Sequence, residues 1–159
     1  MSAATLDNRL QQLTPLGQRL VWVLAGLALA VAPHAGHIAP WTILIAALAA
    51  AFRMTAEIKR WPLPSKSIFT GIAFVLFLGV LAGYRTLKGI NAGTSLLIVM
   101  AGMKLLETRT VRDLTVVVFL SYFALFAAFL YNQNMLLLPY MLLTAGLLTM
   151  TLMRIHQTE

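Results

Sequence analysis

Hydrophobic and polar positions along this chain fall into long blocks. Six runs are almost unbroken in apolar residues: Leu16–Ala32, Ile38–Phe52, Ile68–Tyr84, Ile90–Leu106, Leu114–Tyr131 and Met135–Met153. A helix needs about 20 apolar residues, with a range near 17–25, to cross the hydrocarbon layer of a membrane. The last four runs meet or approach that length. The first two are shorter, and Pro33 and Pro40 in the connecting "PHAGHIAP" forbid one continuous helix. They read as two thin crossings, with a re-entrant hairpin as the other arrangement. The predicted fold is therefore all-α: a polytopic transmembrane bundle of about six spans. Residues 1–15 form a polar N-terminal segment, 16–154 the helical domain, and 155–159 a short polar end.

Local signals support these boundaries. Ser67, with Pro64 before it, is a candidate cap for the third helix. Pro139 suits an early turn of the sixth, where a missing N–H costs little. Trp22, Trp41, Trp61, Tyr84 and Tyr131 lie near run ends, as interfacial aromatics do. The pairs Gly79/Gly83 and Gly89/Gly93 have the small-xxx-small spacing that lets helices approach closely. "AVA" at Ala30–Ala32 mimics a signal-peptide cleavage site, but proline follows it and the polar leader is long, so the first run is read as retained.

Composition agrees with a bilayer as solvent. Hydrophobic residues make up 60% of the chain and charged residues 11%, against roughly 25% charged in soluble domains. Cysteine is absent, which removes disulfides, thiolate metal sites and a cysteine nucleophile from this segment. The formal charge is +7. Its placement argues for lipid headgroups and topology rather than nucleic acid. With the N-terminus in the cytoplasm, the inner segments hold Arg9, Arg19, Arg53, Lys59, Arg60, Lys66, Lys104, Arg109, Arg112 and Arg154, and the outer loops only Arg85 and Lys88.

The densest polar feature is "KLLETRTVRD", which carries Lys104, Glu107, Arg109, Arg112 and Asp113 in the inner turn between the fourth and fifth helices. Thr110 and Asp113 fit the capping pattern [ST]-x-x-[DE]. Lys104/Glu107 and Arg109/Asp113 are spaced to pair locally. A capped, topology-setting turn accounts for these residues, and a docking patch for lipid or a partner is the functional alternative. Catalysis and cofactor binding find no support: no base neighbours a nucleophile, and no glycine-rich phosphate loop is present. His34 and His37 lack an acidic or thiol partner and read as loop histidines rather than a metal site. Phe119, Tyr122, Phe126 and Phe129 recur at helical spacing as a packing stripe. The apolar runs lack mid-span acids, which gives proton- or ion-coupled transport little footing.

From Arg60 to Arg154 the chain resembles the N-terminal membrane domain of bacterial transglutaminase-like membrane proteins. The resemblance is carried by "WPLP" at Trp61–Pro64, the loop around Gly89 and Gly93, "KLLETRTVRD" at Lys104–Asp113 and "SYFALFAAFLYNQN" at Ser121–Asn134. It implies an inner-membrane domain that precedes an extracytoplasmic transglutaminase-like domain with a Cys-His-Asp triad, transferring acyl groups from protein glutamine to amines or hydrolysing them. None of that triad falls on this chain. Six crossings put Glu159 in the cytoplasm, so an outer catalytic domain requires at least one further crossing. The chain is thus expected to be an N-terminal segment of a longer protein, or a shortened relative. The alternatives are a standalone scaffold binding partner helices and a small transporter or lipid-binding protein. The pattern sets no oligomeric state.

Overall fold

The computed structural model describes residues 15–62, 65–84, 89–131, 135 and 137–157. Among them the chain forms six α-helices and no strand: α1 Pro15–Val31, α2 Pro40–Lys59, α3 Lys66–Tyr84, α4 Ile90–Glu107, α5 Val111–Tyr131 and α6 Leu137–His156. A single 3-10 turn, Ala32–His34, continues α1. Five stretches are long and apolar enough to cross a membrane: Leu16–His34, Pro40–Lys59, Ile90–Glu107, Val111–Leu130 and Leu137–His156. The apolar part of α3, Ser67–Gly83, is shorter. A helix of 20 residues is about 30 Å long, the thickness of the hydrocarbon layer.

The helix ends follow local chemistry. Pro40 opens α2 at its first position, where its missing N–H is one of the unbonded donors anyway. Pro139 falls in the first turn of α6 for the same reason. The third helix starts one residue before Ser67, at Lys66, and the Ser65 carbonyl accepts from the Ile68 N–H at 3.1 Å.

The larger difference is in α2, which continues seven residues past Phe52, where the apolar pattern stops. Arg53 and Glu57 thus lie inside a helix and not in a loop. The helix ends when Arg60 adopts a left-handed φ of 51°, with its N–H donating to the Ala56 and Glu57 carbonyls. The Trp61 N–H reaches back to the Ala56 carbonyl at 3.0 Å. This is the Schellman closure, made by a residue other than glycine.

The helices α4 and α5 are central. α5 packs against α4, α1 and α6, α4 against α2, α3 and α5, and α3 rests chiefly on α4. The main core joins Leu20, Val23 and Leu27 of α1 with Leu105, Leu114, Val117, Leu148 and Ile155. Phe69, Val80, Val99 and Met103 form a second cluster beneath α3.

Lipid offers no hydrophobic drive between helices, so close backbone approach matters more than in water. Among the described glycines, Gly102 meets a neighbouring backbone and Gly26 is covered by a side chain. A methyl group at Gly102 would lie 3.2 Å from the Ala46 Cα, and one at Gly26 would lie 2.6 Å from Leu148 Cδ2. The phenyl rings of Phe119, Phe126 and Phe129 point outward, between 41% and 64% exposed. They therefore do not form the interhelix packing stripe that their spacing suggests. The buried face of α5 is made by Leu114, Val117, Ser121, Leu125 and Ala128, and only Tyr122 of the stripe turns toward a neighbour.

Candidate functional site: an ionic turn at one end of the bundle

The α4–α5 turn is built from alternating caps. Thr108 is buried; its hydroxyl donates to the Lys104 carbonyl at 2.9 Å and its N–H to Leu105 at 3.3 Å, which closes α4. Thr110 then opens α5 with a reciprocal capping box. The Asp113 N–H donates to Thr110 Oγ1 at 3.3 Å, and Asp113 Oδ2 accepts from the Thr110 N–H at 3.2 Å. The same carboxylate oxygen accepts the Thr110 hydroxyl at 2.8 Å and the Arg109 N–H at 3.2 Å. Arg109 therefore meets Asp113 through its backbone.

Lys104 Nζ sits between two carboxylates, 3.3 Å from Glu107 Oε2 and 3.4 Å from Asp113 Oδ1. The first contact follows from i,i+3 spacing. The second crosses the turn and clamps α5 to α4. Arg109 and Arg112 are exposed at its rim. The five residues of the charged stretch are thus gathered in one turn, three of them in a shared network.

Sequence reasoning missed Arg53, counting it as a loop charge. It is 2% exposed, and its Nη1 lies 3.0 Å from Glu57 Oε2 one turn on. Its Nε is buried with no hydrogen-bond partner among the described residues. A Cβ at Gly83 would lie 3.8 Å from the Trp41 ring, so the end of α3 and the start of α2 share one end of the bundle. A short connection leads from α3 to α4, so α4 starts at that end too and runs parallel to α2. Gly102 meets Ala46 and Ala49, which places Arg53, one turn further along α2, level with the last turn of α4. The sequence signal was the Arg-x-x-x-Glu spacing.

The remaining candidates scatter. Gly79 and Gly93 have nothing within 4 Å of an added methyl, and Gly83 has only Trp41. Gly89 precedes α4 at φ 148°, a conformation that favours glycine. His34 is buried, and its Nε2 lies 2.8 Å from the Ala124 carbonyl of α5. A carbonyl only accepts, so Nε2 carries the hydrogen. This histidine ties the α1–α2 connection to α5, whereas His37 is exposed. Among the described residues no three His, Asp or Glu side chains converge on a metal-sized space. Arg85, Lys88 and Asn132–Asn134 lie outside the described residues.

Apolar helices of membrane-spanning length, with their ions gathered into a capped turn, define a multi-pass helical membrane domain. The family model of the TgpA N-terminal domain matches residues 22–159, and the chain belongs to that family. It is 31% identical over 139 residues to a protein-glutamine gamma-glutamyltransferase of Pseudomonas aeruginosa, an alignment that covers 87% of this chain and 21% of the relative. The chain thus spans about a fifth of that relative's length. The family match also takes in α2 and most of α1, which precede the Arg60–Arg154 stretch that carries the resemblance. No solved structure matches the chain.

Proposed function

We propose that this chain is the membrane anchor that holds and positions a transglutaminase-like catalytic domain, with that domain outside the cytoplasm and outside these 159 residues. The observation that carries the reading is the family match across nearly all of an apolar helical bundle, together with a transglutaminase relative about four times as long. The membrane is the bacterial inner membrane. The N-terminus, the α2–α3 connection and the α4–α5 turn face the cytoplasm, as the distribution of lysine and arginine favours. In this frame Lys104, Glu107, Arg109, Arg112 and Asp113 fix the inner turn.

Two observations support that frame. The Arg154 guanidinium lies 4.5 Å from the Trp22 ring centroid and Lys59 Nζ 5.0 Å from that of Trp61, so cations and indoles meet at the same end of the bundle. A scaffold role for the glycine pairs draws on the open space beside Gly79 and Gly93, since small residues on an open face let a partner helix approach closely.

Reporter fusions test the orientation. A periplasm-active reporter should work when joined at Gly36 and fail at Thr110, and the reverse pattern refutes the assignment. The anchoring role is tested in the longer protein by exchanging residues 22–159 for unrelated membrane helices. Loss of activity on membrane-associated substrate, with activity on a soluble peptide retained, is expected. Loss of both indicates that the helices serve the catalytic fold itself.

A further inference from the structure

Consecutive helices α1 and α2 lean on different neighbours, α1 on α5 and α6 and α2 on α4. A groove of about 210 Å³ is left between them, lined by Leu24, Leu27 and Ala28 on α1 and by Ile43, Ala47 and Ala50 on α2, with Ala32 and Ala35 of the α1–α2 connection at one end. Every lining residue is apolar. We infer that this groove is a binding site for a single acyl chain of a membrane phospholipid.

Size selects the occupant. Leu24–Val31 and Ile43–Ala50 each advance about 10 Å at 1.5 Å per residue. Even counting all the space out to its open side, about 590 Å³, the groove averages roughly 60 Å² in cross-section over that length. A helix about 10–12 Å across needs roughly 80–110 Å². Neither a second copy of this chain nor a further helix of a longer protein can enter, whereas one extended hydrocarbon chain can. The length fits one leaflet, about half of the 30 Å hydrocarbon layer. The groove lies at the end of the bundle nearest the α1–α2 connection, so it belongs to that leaflet.

Chemistry and placement agree. A groove with so little polar surface offers water few partners, and left empty it forfeits dispersion contacts along both walls. It is also continuous with the lipid-facing belt, since Leu44 and Leu48 beside it on α2 are each 59% exposed. The six alanines among its ten lining residues supply the depth: longer side chains at Ala28 or Ala47 would close it.

The inference rests on the membrane reading of the bundle and not on the transglutaminase assignment. The test uses the full chain in bilayer nanodiscs that contain phosphatidylethanolamine with a diazirine at mid-chain. Adducts are mapped by peptide mass spectrometry. Per residue, labelling of Ala28–Ala32 and Ile43–Ala50 is expected to exceed that of the exposed belt residues Leu142 and Leu143 at least fivefold. Ala47→Trp should cut groove labelling at least tenfold and leave the belt unchanged; Ala28→Leu closes the same space from α1 if Ala47→Trp fails to fold. Wild-type labelling of the groove no higher than of the belt overturns the inference, as does undiminished labelling in a folded variant. Absence of label on groove and belt alike would overturn the membrane reading as well.

Discussion

Replacing Glu57 with glutamine removes the negative charge beside a guanidinium that is 2% exposed and 3.0 Å from it. At that distance, with an effective dielectric constant near 20, the gross attraction is about 5 kcal/mol. Without it the Arg53 guanidinium stays buried beside a neutral amide. Its Nε already lacks a partner, so no second acceptor stands ready among the described residues. Breaking a buried pair from one side costs about 3–5 kcal/mol. For a chain of this size that is a drop of roughly 6–20 °C in midpoint.

The opposite substitution separates this account from simple loss of a contact. Arg53→Met keeps much of the buried stem and removes the charge that burial penalises, while Glu57 is 12% exposed and reaches the surface. Exchange of a buried pair for apolar residues is often neutral or stabilising by about 1–4 kcal/mol. Glu57→Gln should therefore destabilise more than Arg53→Met, and Arg53→Met/Glu57→Leu should recover most of the loss. The assay is thermal unfolding in nanodiscs followed by circular dichroism. A Glu57→Gln protein that melts with the wild type, or an Arg53→Met protein that melts well below it, refutes the reasoning.

Three further outcomes are expected. Gly102→Val forces α2 away from α4, because the nearest obstacle is the Ala46 Cα and not a flexible side chain; a cost of about 1–3 kcal/mol follows from such overpacking, read as a lowered melting midpoint. Thr110→Ala removes the α5 cap and a donor to Asp113 at 2.8 Å, costing about 0.5–2 kcal/mol in the same measurement. Arg109→Glu with Arg112→Glu reverses the exposed charge at the α4–α5 turn, and reporter fusions in the flanking connections should reveal misinsertion.

What could be read beforehand depended on the range of the interaction. The capping box is local: Thr110 and Asp113 are three apart, and their bonds follow once a helix starts there. Glu107 and Lys104 are legible for the same reason. The end of α2 was not, because a hydropathy reading stops at the first charge, whereas burial against α4 carries the helix through Arg53 to Lys59. Close approach at Gly102 depends on Ala46 across the α2–α4 interface, and glycine spacing along one helix says nothing about which face meets a neighbour. His34 is the same case at greater distance, since its acceptor Ala124 lies 90 residues away.

These contacts divide the bundle into two unlike ends. Around the α4–α5 turn the contacts are ionic: Lys104 spans from α4 to Asp113 of α5, Arg154 of α6 covers Trp22 of α1, and Arg53 pairs with Glu57 within α2. At the α1–α2 end they are joined by neutral donors: the His34 ring meets the Ala124 carbonyl, and the Tyr140 hydroxyl donates to the Leu29 carbonyl at 2.6 Å. A carbonyl in lipid keeps a free lone pair even when its helical bond is made, so it accepts a neutral donor without burial of charge. Ion pairs are affordable only where headgroups and water are near. A bundle whose orientation is set by lysine and arginine needs most of its cations at one end, and among the described residues the other end is tied by neutral donors instead.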